Sequence, residues 1–177
     1  MGKIVIEKLE HEVPDHFFDC GNSSINRQIQ ESYFPTLLQY CYAYQVSISG
    51  QVVGYYMIRL KTISMESAPK ELQEYESSLV NNCSAVHIGY IAVDKKYQNN
   101  KIGTYILKTI IIQVLRLCQQ FPIAVITLDA LKDKYEWYRN RGFNAFDERN
   151  LEDSEITIPM YVSCILNQEA VDNYCMV

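Results

Sequence analysis

The loop at residues 94–101, Asp-Lys-Lys-Tyr-Gln-Asn-Asn-Lys, is where residue type and position together suggest chemistry in this chain. It lies between an uncharged apolar run at 86–93 and a helical pattern that starts at Gly103. A junction of strand and helix points several backbone N–H groups, unpartnered within the helix, at one spot, with the positive end of the helix dipole behind them. That spot is an anion seat. A pyrophosphate fits it, and Lys95, Lys96 and Lys101 add positive charge nearby. The plain alternative is a helix start whose N–H groups meet only water, and local pattern by itself leaves both open.

Other reactive groups are sparse. Cys20, Cys41, Cys83, Cys118, Cys164 and Cys175 lie scattered, with no Cys-x-x-Cys and no histidine at ligand spacing. They read as free, buried thiols rather than a zinc site or a disulfide framework, and no metal is expected. Lys132, Lys134, Arg139 and Arg141 form a local basic stretch with two open readings, a solvated helix face or a small basic face toward a polyanion.

The elements that must hold these residues follow from periodicity. Residues 3–9 alternate weakly, as a strand does. Residues 22–33 begin with the capping residues Asn22 and Ser23, place Ile25, Ile29 and Tyr33 at helical spacing, and stop before Pro35. The β-branched and aromatic runs 40–48 and 52–61, joined by Ser49-Gly50, predict a hairpin. A polar helical excursion at 70–79 follows Pro69 and closes at Asn81-Asn82. The run 86–93 reads as a strand buried on both faces. On the next helix, through Gln119, Ile102, Ile106, Ile110, Val114 and Leu117 recur three or four apart, and Ile111, Ile112 and Leu115 widen the stripe. That helix should be nearly enclosed. Residues 123–128 form another buried strand, 132–139 a helix ended by Gly142, and 155–166 a last strand interrupted by Pro159. Strand, loop, helix, strand is a βαβ unit. The whole reads as an α/β (α+β) sandwich on a mixed central sheet, a single domain over residues 1–177.

Composition agrees with one sizeable core. A chain of 177 residues, 48% apolar and 21% charged, excludes disorder, coiled coil and collagen. Its longest apolar stretches fall far short of the roughly 20 residues that span a membrane. Lys3, Glu7, Lys8, Glu10 and Glu12 occupy the opening where a secretory leader is apolar, so a cytoplasmic location is expected. A net charge of −5 argues against a generic nucleic-acid binder, yet residues 94–149 hold ten Lys or Arg against six Asp or Glu. That stretch is +4 and the remainder −9, so the positive part should face any anionic ligand.

At the loop, Gln98-Asn99-Asn100-Lys101-Ile102-Gly103-Thr104 follows Ile91-Ala92-Val93-Asp94. This resembles the acetyl-CoA-binding motif of the GCN5-related N-acetyltransferases: Gln or Arg, two residues, Gly, one residue, then Gly or Ala. Gln98 and Gly103 match, and Lys101 stands where the family prefers glycine. Downstream, Trp137-Tyr138 and Gly142-Phe143 are similar to the family's aromatic-Tyr-x-x-x-Gly-Phe signature, at a fitting distance from the first motif. A narrower branch is also resembled, the acetyltransferase toxins of bacterial toxin–antitoxin modules. The likeness rests on the opening Phe18-Asp19-Cys20-Gly21-Asn22, on Pro69-Lys70-Glu71-Leu72 and on Ile158-Pro159-Met160, and so runs along nearly the whole chain.

The resemblance implies a fold with a splayed central strand pair and helices on both faces of the sheet. It implies acetyl-CoA as acetyl donor, its pantetheine arm along Ile91, Ala92 and Val93 like a further strand. Its pyrophosphate would lie on Gln98, Asn99, Asn100, Lys101, Ile102, Gly103 and Thr104. Tyr138 would protonate the departing thiolate, which a phenol of pKa about 10 can do at neutral pH. No general base stands out: His87 reads as structural, and an α-amine of pKa near 8 can lose its proton to water. The implied acceptor is the α-amine of aminoacyl-tRNA, and the implied partner a small DNA-binding antitoxin; a homodimer is also compatible. Two further readings stay open: a small amine or protein N-terminus as acceptor, and a CoA-binding or partner-binding module with a degenerate site. Lys101 favours the last, because with a positive φ a lysine there costs about 1 kcal/mol.

Overall fold

In the computed structural model, residues 3–14, 18–74, 81–147 and 157–164 are described. The chain runs through β1 (Ile4–Lys8), α1 (Ser23–Gln30), α2 (Tyr33–Leu37), β2 (Tyr42–Ile48), β3 (Gln51–Ser64) and α3 (Lys70–Gln73). It continues through β4 (Asn82–Val93), α4 (Ile102–Cys118), β5 (Val125–Leu131), α5 (Tyr135–Arg139), β6 (Asn144–Ala145) and β7 (Thr157–Ser163). The strands form one seven-stranded sheet in the order β1-β2-β3-β4-β5-β7-β6. The pairs β1/β2, β2/β3, β5/β7 and β6/β7 are antiparallel, so the architecture is the α+β form of the expected class, with a mostly antiparallel sheet. Two compact units are distinguished: residues 1–59 with 88–110, and residues 60–87 with 111–177. No helix among the described residues is long and apolar enough to cross a membrane.

The first unit is built on a core of Leu9, Val13, Ile29, Ala43, Tyr55, Tyr90 and Ala92. Its hairpin forms because Ser49 (φ 51°) and Gly50 (φ 80°) both adopt left-handed backbone, the turn whose twist matches paired strands. A bulge between Val46 and Ser47 shifts the register, so Val46 faces Gly54 and Ser47 faces Val52. The Asn22 side chain caps α1, accepting from the Ile25 N–H at 3.1 Å. Pro35 does not mark the end of helical structure, contrary to expectation. It is the third residue of α2, where a first-turn N–H would have no helical partner and its absence removes nothing.

The second unit packs Ile63, Met65, Ala68, Leu72, Ala85, Val125 and Tyr161 together. The excursion forms α3 only over Lys70–Gln73, and the rest of the expected helix, 75–79, lies outside the described residues. β4 starts at Asn82, four residues before the expected 86, and β5 runs on to Leu131 rather than stopping at 128. Pro159 is a paired position of β7, opposite Asp129, not an interruption. Its other flank faces β6, whose pairing ends at Met160; there Pro159 supplies only its carbonyl, to the Phe146 N–H at 3.1 Å, so the missing donor is not demanded. The tail 168–177 and residues 155, 156, 165 and 166 of the expected last strand lie outside the described residues.

Helix α4 follows the apolar stripe at Ile102, Ile106, Ile110, Ile111 and Val114, all buried. The helix departs from the expected near-enclosure at both ends: Tyr105 in its first turn is 41% exposed, and Leu117, beside the polar Arg116 in its last turn, is 37% exposed.

Candidate functional site

The loop expected to seat an anion lies entirely within the first unit. At the end of β4 the Asp94 N–H donates to Val53 O at 3.0 Å, tying the strand's last turn to β3. Asp94 is buried (7% exposed), and its carboxylate accepts from the Lys96 N–H at 2.9 Å and the Asp19 N–H at 3.2 Å, capping the 3₁₀ turn Lys95–Tyr97. Ala92 can lie where it does because β3 offers a glycine: a Cβ on Gly54 would stand 2.6 Å from Ala92 O.

Beyond the turn the backbone takes left-handed φ twice, at Asn99 (64°) and Lys101 (61°). Alternation of this kind turns consecutive N–H groups toward one concavity, the geometry of an anion nest. Helix α4 begins at Ile102, and the Tyr105 N–H closes its first turn by an i→i−4 bond to Lys101 O at 3.0 Å. The first-turn N–H groups therefore have no acceptor within the helix and face the same region, with the dipole of a seventeen-residue helix behind them. Asparagine tolerates this backbone; lysine does so only under strain.

Side chains stiffen the loop rather than line it. The Gln98 amide donates to Cys20 O and to Val93 O, each at 2.9 Å, and the Asn100 amide donates to Tyr97 O at 3.2 Å and Gln98 O at 3.1 Å. Lys95 is corrected from the sequence expectation: its ammonium pairs with Asp19 at 2.8 Å and is committed there. Lys96 and Lys101 are exposed and form no ion pair among the described residues. Sequence reasoning did not find the Asp19 cluster. The Asp19 carboxylate also accepts from the Gly21 N–H at 2.8 Å and the Asn26 amide at 2.9 Å. Hydrogen bonds from Lys95, Asn26 and Gly21 hold its pKa down at about 2. The available signal was Asp19-x-Gly21, an Asx-turn pattern, with Gly21 at φ 92°.

In the second unit Tyr138 sits on α5, half-buried, its ring edge-on to Trp137 (centroids 4.8 Å apart) and to Phe143 (5.8 Å). Gly142, at φ 86°, ends the helix, with Gly142 N–H on Arg139 O and Phe143 N–H on Tyr138 O, so the Gly-Phe pair fixes where Tyr138 points. Burial pushes the phenol up to about 12, and its hydroxyl has no hydrogen-bond partner among the described residues. His87 is buried, with Nδ1 3.0 Å from Thr127 Oγ1 and Nε2 3.9 Å from Asp129, in keeping with a structural role. Two cations of the basic stretch are paired with carboxylates, Lys134 with Asp133 at 2.7 Å and Arg139 with Glu136 at 3.5 Å, while Arg141 lies over the Trp137 ring at 4.0 Å. The five described cysteines are free, and no group of metal-ligating side chains occurs among the described residues.

No protein-family model and no curated protein sequence matches the chain. Solved structures do match over almost the full length. One is a bacterial toxin, with TM-score 0.79 and 18% identity over 99% of this chain and 94% of that one. Another is AtaT complexed with acetyl-methionyl-tRNAfMet, with TM-score 0.78 and 16% identity over 98% and 100%. A third is a tyrosine-to-phenylalanine mutant of the toxin AtaT bound to acetyl-CoA and the C-terminus of the antitoxin AtaR, with TM-score 0.71 and 17% identity over 97% of both. The fold is that of the GCN5-related N-acetyltransferase toxins. Against this fold, the sequence motifs fall where they were quoted: Gln98 to Thr104 at the β4/α4 junction, and Tyr138 on the helix after β5.

Proposed function

We propose that the chain is an acetyl-CoA-dependent N-acetyltransferase that transfers acetyl directly to a primary amine, the α-amine of an aminoacyl-tRNA, and so blocks translation. The observation that carries this reading is the loop 98–104. It resembles an acetyl-CoA motif at Gln98 and Gly103, its backbone turns left-handed at Asn99 and Lys101, and it opens the long helix of a fold shared with the toxin AtaT, solved once with acetyl-CoA and once with acetyl-methionyl-tRNAfMet.

The chemistry follows from the groups available. The N–H groups of Asn99, Asn100, Lys101, Ile102, Gly103 and Thr104 take the pyrophosphate, with Lys96 and Lys101 adding charge. The pantetheine arm runs along Ile91, Ala92 and Val93. The neutral amine attacks the thioester carbon, a C–N bond forms and the C–S bond breaks. Tyr138 delivers its proton to the sulfur and regains one from the nitrogen, so that one proton moves from amine to thiol. Because the phenol's pKa is about 12, it gives up its proton only as the thiolate develops, acting as donor in the transition state and not as an acid in the resting enzyme. An antitoxin that binds DNA is the partner this reading assigns.

Uptake of labelled acetyl from acetyl-CoA into purified aminoacyl-tRNA tests the reading. The protein should label it, and Tyr138→Phe should lower kcat by about 100-fold or more while acetyl-CoA affinity stays put. Labelling of polyamines or peptide N-termini in place of aminoacyl-tRNA would move the acceptor to the small-amine reading, for which the −9 balance outside residues 94–149 speaks.

A further inference from the structure

We propose that Asp19 is a positioning residue for the pyrophosphate loop, and that it acts by anchoring the loop through its pair with Lys95 rather than by touching any ligand. The inference rests on the acetyl-CoA reading above. The segment after residue 18 is joined to the loop at four points. The Lys95 N–H donates to Asp19 O at 2.9 Å, and the Lys95 ammonium to the Asp19 carboxylate at 2.8 Å. The Asp19 N–H donates to Asp94 at 3.2 Å, and the Gln98 amide to Cys20 O at 2.9 Å. The anchor is itself fixed to α1: Asn26 donates to Asp19 at 2.9 Å and accepts from the Cys20 N–H at 3.0 Å, while Gly21 N–H closes the Asx turn. Gly21 must be glycine here, since its φ is 92° and a Cβ would come within 3.0 Å of the Lys95 side chain.

The geometry explains a loop that is otherwise under-determined. Two non-glycine residues, Asn99 and Lys101, hold left-handed backbone, and strained conformations persist only where the surroundings over-determine them. Asp19 supplies that determination at the start of the loop and Gln98 in its middle. The same contact cancels the charge of Lys95, so anion binding relies on backbone N–H groups whose directions are set beforehand.

Calorimetry with acetyl-CoA separates this role from direct phosphate binding by sign. Asp19→Ala should weaken binding about tenfold, Lys95→Met should weaken it similarly, and the double variant should match either single one. Asn26→Ala, which leaves the Asp19–Lys95 pair in place, should cost about threefold. Affinity for S-acetyl-pantetheine, a thioester without the pyrophosphate, should not change in any of them. Tighter acetyl-CoA binding by Asp19→Ala would show that Lys95 is a phosphate ligand released from competition, and would overturn the proposal. So would additive losses in the double variant, or an equal loss for S-acetyl-pantetheine, which marks a general structural defect. A wild-type protein without affinity for acetyl-CoA removes the acetyltransferase reading and this role together; a wild type that binds, with Asp19→Ala unchanged, removes this role alone.

Discussion

Lys101 carries two opposed effects that can be taken apart by substitution. Its φ of 61° places a Cβ where L-residues are strained by about 1–2 kcal/mol, whereas in the proposed function its exposed ammonium adds charge toward the pyrophosphate. Glycine relieves the strain but gains about 0.5–1 kcal/mol of unfolded-chain entropy, so Lys101→Gly should be more stable than wild type by about 0.5 kcal/mol. For a chain of this size that is a rise of about 1–2 °C in Tm. Lys101→Ala keeps the strain and loses only the charge, so it should melt below Lys101→Gly, the two differing by about 0.5–1 kcal/mol. In acetyl-CoA binding, both variants lose one exposed charge, worth roughly 0.3–1 kcal/mol at low salt and less as salt rises. Glycine should recover part of that loss by letting the nest relax onto the pyrophosphate, whereas alanine should not. Urea melts and calorimetry at two salt concentrations read both quantities. If alanine is as stable as glycine at this position, the backbone there is not strained, and the account of the loop as a pre-set, costly conformation is wrong.

Three further outcomes follow from particular contacts. Gly54→Ala puts a methyl 2.6 Å from the Ala92 carbonyl, so β3 and β4 must shift; stability should fall by about 1–3 kcal/mol in a urea melt, with weaker acetyl-CoA binding. Asn22→Ala removes the α1 cap and should cost about 1 kcal/mol, read as a fall of about 2–4 °C in Tm. Tyr138 has a folded pKa raised to about 12 from an ordinary value of about 10, so its protonated form is favoured in the folded state. Its contribution to stability is complete below pH 10 and lost between about pH 10 and 12. The rate should accordingly rise as the acceptor amine loses its proton near pH 8 and then stay level to about pH 10.5; a falling limb centred near pH 9.5 would show that Tyr138 is solvated and not held as described.

How far the sequence revealed this molecule depended on whether the deciding interaction was local. The hairpin at Ser49-Gly50, the Asn22 cap, the α4 stripe from Ile102 to Val114 and the Gly142 stop are each set by residues within a turn of one another, and all are where periodicity and turn chemistry put them. Pro35 and Pro159 misled because a proline's effect depends on whether its missing N–H is needed. That is decided by helix position in one case and by the two-residue length of β6 in the other. The place of loop 94–101 between a strand and a long helix was legible, because apolar runs on either side mark both elements. The fate of Lys95 was not, because its partner Asp19 is 76 residues earlier in the chain, and no spacing rule reaches that far. Likewise nothing local told that Gln98 spends its amide on two carbonyls, one of them Cys20 O.

The charge balance of residues 94–149 gains a different meaning once its pairs are known. A surplus of +4 suggests a basic face, yet along 132–141 most of the cations already have partners. Lys134 sits on Asp133, Arg139 on Glu136, and Arg141 lies on the Trp137 ring and donates to Trp137 O at 2.7 Å, whereas Lys132 has no ion pair among the described residues. Exposed pairs of this kind contribute about 0–1 kcal/mol each, so they do little for stability. Their effect on a polyanion is larger, because a cation next to its own carboxylate releases few counterions when a phosphate approaches. Contact of this segment with the acceptor end of a tRNA should therefore steepen log K against log salt by about 1.4–1.8, the share of two phosphates met by Lys132 and Arg141. Lys132→Met should remove about half of that increment, and Lys134→Met and Arg139→Met should leave the slope nearly unchanged. Equal decrements from all three would mean that the pairs open on binding and that the segment is, after all, a basic face.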